Sequence, residues 1–473
     1  MQLSRLAKPL GFVAIAALPA GSNLLMTLVL VRGLGIEAFG LWALIEPLLL
    51  IFGTVGALGI QYGVLFTTAS QASDPRRNLS AAFVVALPVS FGLASVAWLL
   101  ARDWLPGVGY ANLVLPLVAE TLALLIISSL RGQRRLGAWI TFEAIRSLGL
   151  VLVAGLALQL GLAWVRSINE LLVLRGVFTV SAVLFVALRL GVRPVWDRTL
   201  VWRMVRYGLP IAGSALVGML TSSGDRFLLA TFQTDLSVVA SYAAHQRLTG
   251  ILAVLTVTPL NLWFAVEAMR RDTAAEAQFF QGVVSLLLIA LSLLLLVTFA
   301  ATPLLWPYLF PGLEFHPAVF FVLTIAIVPQ TLAIVLNIGG LREKKTHLNA
   351  LIVACGSAAL LLVGIPLVQM IAATGAAIAR LAVFVTNATI ARLVSQRIAP
   401  VPHSVRRMVP VLAAIALASA SLFHAELGLP VWVLPLLSLG LALWGLKREA
   451  AVLAVLLGLK QKAAVDRVAA ARP

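Results

Sequence analysis

The chain has 473 residues, of which 61% are hydrophobic and only 11% charged, and its mean hydropathy is +1.03. A soluble domain is usually about 45–50% apolar and about 25% charged, so this composition excludes an ordinary soluble protein and indicates that lipid is the main solvent. A net charge of +17 would suggest a nucleic-acid partner in a soluble protein, whereas in a membrane protein it is typical of cytoplasmic loops.

Fourteen apolar runs are long enough to approach or reach the roughly 20 residues that a membrane-spanning helix needs. They are continuous rather than alternating, which predicts helices and not barrel strands. In chain order the runs are 9–32, 39–62, 79–101, 109–130, 138–160, 169–190, 207–231, 236–262, 277–300, 316–338, 348–369, 372–391, 408–423 and 428–446.

The basic residues predict the orientation of these spans. With the N-terminus inside, 27 of the 35 Lys and Arg residues fall in cytoplasmic stretches, and three (Arg32, Arg102 and Arg166) fall on the opposite side. This asymmetry is that of a multi-pass protein of the cell (inner) membrane with both termini in the cytoplasm. The excess of positive charge is therefore explained by the orientation of the spans in the membrane, and we expect no nucleic-acid partner.

An internal repeat suggests two related halves. Residues 18–22 (LPAGS) in the first span return as 209–214 (LPIAGS) in the seventh, and an offset of six spans preserves orientation, as in transporters with parallel repeats. The predicted fold class is an all-α polytopic membrane protein with about 14 transmembrane helices, in two six-helix lobes plus a C-terminal helix pair. The predicted divisions are an N-terminal lobe (1–191), a cytoplasmic amphipathic linker (192–206), a C-terminal lobe (207–395), an extra helix pair (396–446) and a basic cytoplasmic tail (447–473).

Two connections have distinctive compositions. The linker carries tryptophans interleaved with arginines, which suits a short helix in the headgroup plane. The longest outer connection, 301–315, is rich in proline and aromatic residues and is expected to lie in the membrane interface. The single cysteine, Cys355, lies within a span, so no disulfide framework is expected.

Ionisable residues inside spans are costly and normally face a cavity or a partner. Glu143 and Arg146 are three residues apart, which predicts a structural ion pair on one helix face. Four further arginines are predicted in the outer half of the membrane, where they exceed the acids. Because arginine stays charged, they predict a cationic cavity that suits an anion such as a pyrophosphate. These candidate substrate-binding residues are Arg175, Arg226, Arg247 and Arg380.

Four other residues have two open interpretations. Glu46, Glu120, Asp225 and His245 either couple transport to a proton or cation, because burial can bring a carboxyl group towards neutral titration, or serve as partners of the arginines. In the eighth span Tyr242, His245, Gln246 and Thr249 share one helix face, which predicts an interior polar stripe. No P-loop pattern and no HExxH pattern occurs, so we expect neither an ATPase nor a metal site, and no cofactor.

Three segments resemble the Wzx-type oligosaccharide-lipid flippases and polysaccharide exporters of the multidrug/oligosaccharidyl-lipid/polysaccharide (MOP) superfamily. LVLVRGLGIEAFGLWALIEPLLLIFGTVGALGIQYGV (28–64) is similar to the N-terminal pattern of that family. VRYGLPIAGSALVGMLTSSGDRFLLATF (205–232) resembles the start of its second half with the late Asp-Arg pair, and SYAAHQRLTGIL (241–252) resembles the stretch that follows. The resemblance covers residues 1–270 and is topological beyond them.

The resemblance implies a flippase, not an enzyme, that moves a lipid-diphosphate-linked oligosaccharide from the cytoplasmic to the outer leaflet by alternating access, for surface polysaccharide biosynthesis. The four arginines would attract the diphosphate, and Asp225 would orient Arg226. Its partners would be the polyprenyl-diphosphate glycan, membrane lipid, and polysaccharide polymerase or assembly proteins. The first span has no arginine in its lipid core, unlike the lipid II flippases of the superfamily, which disfavours lipid II as the substrate.

Two alternatives stay open. A cation-coupled multidrug antiporter of the same superfamily would handle cationic substrates, for which an acidic cavity is expected rather than an arginine-rich one. A membrane-embedded polysaccharide polymerase or ligase would be expected to have a sizeable extramembrane loop, and the longest outer connection has about fifteen residues.

Overall fold

The structure is a computed structural model that describes residues 18–19, 21–70, 74–161, 165–233, 235–260, 277–343, 346–398, 405–423 and 426–456. These residues form helices joined by turns, with no strand among them. The helices are α1 (21–33), α2 (Ile36–Gly56), α3 (Ile60–Ala69), α4 (Pro75–Ala101), α5 (Tyr110–Gly132), α6 (Leu136–Glu143), α7 (Leu150–Gln159), α8 (Ile168–Leu190), α9 (Arg198–Phe232), α10 (Leu236–Pro259), α11 (Ala277–Leu309), α12 (Pro317–Ile325), α13 (Ile327–Arg342), α14 (Thr346–Ile398), α15 (Val405–Ala420), α16 (Val433–Arg448) and α17 (Ala450–Leu456).

The chain forms two compact units. The first unit consists of residues 21–243, and the second contains the remainder of the chain. The division falls inside α10, whereas the sequence predicts its boundary near residues 192–206, and the five predicted divisions remain predictions.

Within the first unit, local signals set the helix ends. Asp74 accepts a hydrogen bond from the backbone N–H of Arg76 (3.0 Å) at the start of α4, and Asp197 does the same for Leu200 (3.0 Å) at the start of α9. Side-chain caps of this kind satisfy backbone donors that have no partner within the helix. Asp197 also forms an exposed ion pair with Arg77 (2.7 Å), which connects the first turns of α4 and α9.

The second predicted span, 39–62, is not one continuous helix. The helix ends at Gly56 and resumes at Ile60, because Leu58 and Gly59 have positive φ angles of 46° and 76°. A glycine adopts this conformation without steric cost. An ideal Cβ on Gly59 would also lie 2.3 Å from the carbonyl oxygen of Gly208 in α9, so the break occurs where two backbones meet.

Three further segments differ from the sequence-based expectations. The fifth predicted span, 138–160, is interrupted by a π-helical segment, Ala144–Gly149. Residues 198–206 of the predicted linker are the first part of the 35-residue helix α9, not a separate short helix. Residues 301–309 continue α11, so the predicted outer connection 301–315 is a loop only in its last residues. An apolar run indicates which residues lie in the apolar interior or in lipid. In these three cases it did not predict where the helices break or end.

In the second unit the predicted boundary between the spans 348–369 and 372–391 is confirmed. Ile371 and Ala372 have non-helical backbone angles and divide α14 into two arms. An ideal Cβ on Gly375 would lie 2.1 Å from the carbonyl oxygen of Leu367, and one on Gly356 would lie 2.3 Å from Oδ1 of Asn387. The arms therefore pack side by side.

The last helices belong to the core of the second unit. Met408 and Val411 of α15 and Ala442 of α16 are buried in one hydrophobic cluster with residues of α10 to α13, such as Phe280 and Phe320. The pair of helices that the sequence left without a role is thus part of this core.

Nine described helical stretches are long and apolar enough to cross a membrane, and the longest, Leu348–Ile398, covers two predicted spans. The predicted fold class, an all-α multi-pass membrane protein, is confirmed.

The Gly59–Gly208 contact can be tested by adding one methyl group. We expect Gly208→Ala to lower the thermal unfolding temperature in detergent, because its Cβ would be placed 1.8 Å from the carbonyl oxygen of Gly59. Gly213→Ala in the same helix is the matched control, since nothing lies within 4 Å of its Cβ, and alanine is favoured over glycine by about 1 kcal/mol in a helix interior. Equal unfolding temperatures for the two variants would contradict the close backbone contact.

Candidate functional site

The interior charges of the first unit form two groups around α2. The first, called here the ion cluster, consists of Glu120, Glu143, Arg146 and Arg175. Glu120 of α5 lies between two arginines: its Oε1 accepts from Nη2 of Arg175 (2.6 Å), and its Oε2 accepts from Nη1 of Arg146. Arg146 also donates from Nη2 to Oε2 of Glu143 (2.9 Å).

The π-helical segment carries one member of this cluster. Glu143 is the last residue of α6, and Arg146 lies within the π segment Ala144–Gly149. Single π turns inside α-helices are frequent at functional sites. The sequence predicts the i,i+3 contact of Glu143 with Arg146, but the contact of Arg146 with Glu120 joins residues 26 positions apart, and no local pattern indicates it.

The ion cluster is buried and neutral in sum. The side chains of Glu120 and Glu143 are 8% and 6% exposed, and those of both arginines are 16% exposed. The guanidinium of Arg175 also lies 5.3 Å from the ring centroid of Trp42 in α2, within the range of a cation–π interaction. Arg175, predicted to bind substrate, is thus engaged by Glu120 and by a buried aromatic ring.

The second group contains Glu46 of α2, Asp225 and Arg226 of α9, and Tyr242 of α10. Asp225 is buried and accepts from the hydroxyl of Tyr242 (2.6 Å) and from the backbone N–H of Arg226 (2.9 Å). The guanidinium of Arg226 lies 4.0 Å from the carboxylate of Glu46 and donates to the carbonyl oxygen of Ala43 (3.1 Å). The structure therefore brings Glu46, Asp225 and Arg226 together.

In the second unit His245 lies in an aromatic setting. Its side chain is fully buried, and its Nε2 accepts from the backbone N–H of His316 (3.0 Å). The rings of Trp306 and Phe315 lie 4.3 and 5.4 Å from its own. Because Nε2 acts as an acceptor, the imidazole is neutral at that nitrogen, and protonation there would break the bond to His316.

The other two predicted arginines are also in the second unit. Arg247 lies on α10, two residues after His245, and is half-buried. Arg380 lies in the second arm of α14, where its guanidinium is 5.4 Å from the ring centroid of Phe384. The predicted polar stripe is confirmed as interior, because Tyr242, His245, Gln246 and Thr249 are all buried.

One charged group was missed by the sequence reasoning. Glu449 has a side chain only 3% exposed and forms ion pairs with Arg448 (3.1 Å) and Arg407 (3.7 Å). Both arginines belong to the 27 basic residues that are predicted to be cytoplasmic, and the position of Glu449 next to Arg448 was the available signal. Within the described parts of the chain no group of three or more His, Cys, Asp or Glu residues could hold a metal ion.

Comparisons with known proteins identify solved structures that have a similar fold. No protein-family model matches the chain, and no curated protein matches its sequence. Among solved structures, the lipid II flippase MurJ in its inward closed conformation is similar with a TM-score of 0.67, over 93% of this chain and 98% of that chain, at 10% sequence identity. This chain therefore has the same overall fold as that flippase structure.

Two conformations of multidrug resistance MATE family transporters of the MOP superfamily also have this fold. The inward-facing structure has a TM-score of 0.59 over 84% of this chain and 98% of that chain, at 14% identity. The outward-facing structure has a TM-score of 0.54 over 82% and 95%, at 13% identity. At these identities the MOP likeness concerns the fold, and the arginines and acids described above are features of this chain.

The shared role of Glu120 predicts unequal effects of two isosteric substitutions. Glu120→Gln leaves Arg175 without its carboxylate, and loss of one partner from a buried ion pair costs about 3–5 kcal/mol. Glu143→Gln is expected to cost less, because Arg146 retains Glu120. The measurement is the unfolding free energy of the purified variants in detergent.

The double variant Glu120→Gln/Arg175→Gln is the rescue control, because it removes one charge of each sign and leaves the pair of Glu143 with Arg146. We expect it to be more stable than Glu120→Gln alone. A double variant less stable than the single one would show that the ion cluster does not govern the stability of these helices.

Proposed function

We propose that this protein is a flippase that moves a lipid-diphosphate-linked oligosaccharide from the cytoplasmic to the outer leaflet of the cell membrane by alternating access, as a step of surface polysaccharide biosynthesis. On this proposal it is a transporter and not an enzyme. Its partners are the polyprenyl-diphosphate glycan, membrane lipid and the polymerase or assembly proteins that act after it.

The sign of the interior charge carries the proposal. Away from their ends, the predicted spans contain five arginines and four carboxylates, and the ion cluster accounts for two of each. The remaining interior residues, Glu46, Asp225, Arg226, Arg247 and Arg380, sum to one positive charge. Because a charge inside an apolar bundle is costly, a surplus of this sign suits an anionic headgroup, and guanidinium groups bind phosphate oxygens in a bidentate manner.

The fold supports the same proposal. The similar solved structure that covers 93% of this chain is a lipid II flippase, and the multidrug transporters cover 82–84%. A lipid-linked substrate is therefore compatible with the whole chain. We propose that Arg226, Arg247 and Arg380 bind the diphosphate, whereas Arg175 is the structural partner of Glu120.

For coupling, we propose Glu46 and Asp225 as the acids and His245 as a second titratable group. Glu120 is held by two guanidinium groups, which favour its charged form, so it is better suited to a structural role. Asp225 accepts a bond from Tyr242 that protonation of the carboxylate would alter.

A multidrug antiporter is the second candidate. It is favoured by the likeness to the MATE family transporters and by the carboxylates Glu46 and Asp225, which contact the guanidinium and the backbone N–H of Arg226, respectively. A coupling cation or a cationic drug would interact with these acids. The two candidates therefore differ in the charge of the substrate, which can be measured.

The distinguishing experiment uses the purified full chain in liposomes. A fluorescent polyprenyl-diphosphate glycan is placed in both leaflets, and a membrane-impermeant quencher reports the fraction in the outer leaflet. Flipping should raise the quenched fraction above the protein-free value, and the monophosphate analogue should be moved more slowly. Uptake of a cationic dye driven by a proton or sodium gradient, without glycan flipping, would support the antiporter, and a change in glycan chain length would support a polymerase or ligase.

Substitution of the proposed binding arginines gives a matched test. We expect Arg226→Gln, Arg247→Gln and Arg380→Gln each to lower the flipping rate at least about tenfold, because loss of a charge-assisted hydrogen bond costs about 1.5–3 kcal/mol. Arg102→Gln is the control, since its side chain is 59% exposed and lies at a helix end. Rates equal to the control for all three variants, at equal protein levels, would contradict the anion site.

A further inference from the structure

Helix α2 contains a proline in its interior, at Pro47. In an α-helix the carbonyl of residue i−4 accepts from the N–H of residue i, and proline has no N–H. The carbonyl oxygen of Ala43 therefore lacks its helical donor. In an apolar bundle such a carbonyl must find another donor or remain unsatisfied at a cost.

Arg226 provides that donor from another helix. Its Nη1 lies 3.1 Å from the carbonyl oxygen of Ala43, although the two residues are 183 positions apart. The side chain of Arg226 is 13% exposed, so the bond is largely shielded from water. A charged donor in such surroundings forms a stronger bond than a neutral one.

The first unit has other prolines in helix interiors, but they lack a charged replacement donor of this kind among the described residues. Pro88 in α4, Pro116 in α5 and Pro210 in α9 also remove a helical donor. Each of these prolines leaves the carbonyl four residues before it without a helical donor. Among the described residues of this unit, only the carbonyl of Ala43 receives a hydrogen bond from a charged side chain in place of that donor. The arrangement is thus specific to α2.

Several contacts of α2 near Pro47 depend on the bend of the helix. Gly40, two turns earlier, meets the carbonyl oxygen of Leu236 so closely that a Cβ there would lie 2.5 Å from it. Trp42 lies under Arg175 of the ion cluster, and Glu46 lies beside Arg226. A change of bend at Pro47 would move these contacts together.

We propose that Arg226 is the positioning residue of α2: it supplies the hydrogen bond that Pro47 withholds and thereby sets the bend of the helix. In its functional part this inference rests on the proposed function, where the same guanidinium binds the diphosphate. A diphosphate that takes this guanidinium competes with the carbonyl of Ala43, so binding of the headgroup changes the bend of α2.

A double-substitution cycle tests the positioning role without any ligand. Pro47→Ala restores an N–H for the carbonyl of Ala43. In the native chain we expect Arg226→Gln to lower the unfolding temperature by roughly 3 °C. In the Pro47→Ala background the same substitution should lower it by clearly less. Pro88→Ala is the matched background, where the full loss is expected. Arg226→Lys, which keeps one charged donor, should recover part of the loss. Equal losses in all three backgrounds would overturn the inference.

The bend itself can be measured by the distance between spin labels on either side of Pro47, with Glu37→Cys and Leu50→Cys in a Cys355→Ser chain. Both positions are exposed. Arg226→Gln should change the distance distribution, and farnesyl diphosphate should change it in the same direction in the native chain, while farnesol should have no effect. An unchanged distribution in Arg226→Gln would overturn the positioning role.

The two proposals fail in different ways. If Arg226→Gln changes the bend but farnesyl diphosphate does not, competition by the headgroup is overturned and the positioning role is supported. If the double-substitution cycle shows coupling but Arg226→Gln flips the lipid-linked glycan at the control rate, the proposed diphosphate site fails while the positioning role is again supported.

Discussion

The structure depends on one electrostatic constraint, which is that a charge within an apolar helix must be compensated by another residue of the bundle. Glu120 meets this constraint for two arginines at once, and the resulting ion cluster connects α5, α8 and the π-helical segment. Because removing one partner leaves an uncompensated buried charge, the packing of these helices and the charge state of the cluster are coupled. Arg175 is held in this cluster by Glu120 and by the ring of Trp42.

Helix α2 links this cluster to the second charged group through its backbone as well as its side chains. Trp42 contacts Arg175, the carbonyl of Ala43 binds Arg226, and Glu46 lies beside the same arginine. Substitutions in this segment therefore affect stability and the geometry of the candidate site together. In the proposed transport role the diphosphate headgroup binds Arg226, which already donates a hydrogen bond to the carbonyl of Ala43. Headgroup binding and the conformation of α2 would then depend on the same guanidinium group.

Much of the fold could be predicted from apolar runs, because a span must be continuous and long enough to cross the hydrocarbon core. The positions of most helices follow from this requirement, and so does the boundary at Ile371 and Ala372 within α14. The break at Leu58 and Gly59 and the π-helical segment could not be predicted in this way. Both lie inside apolar sequence, and the first depends on the close approach of Gly208.

The sequence by itself determined that lipid is the main solvent of this protein, its helical class, which charged residues lie within predicted spans, and the pair of Glu143 with Arg146. These properties follow from composition and local spacing. Only the tertiary structure decided which charges meet, since Glu120 finds its arginines 26 and 55 positions away and Arg226 reaches Ala43 over 183 positions. Hydropathy records how costly a buried charge is, but its partner is set by the packing of helices that are distant in sequence.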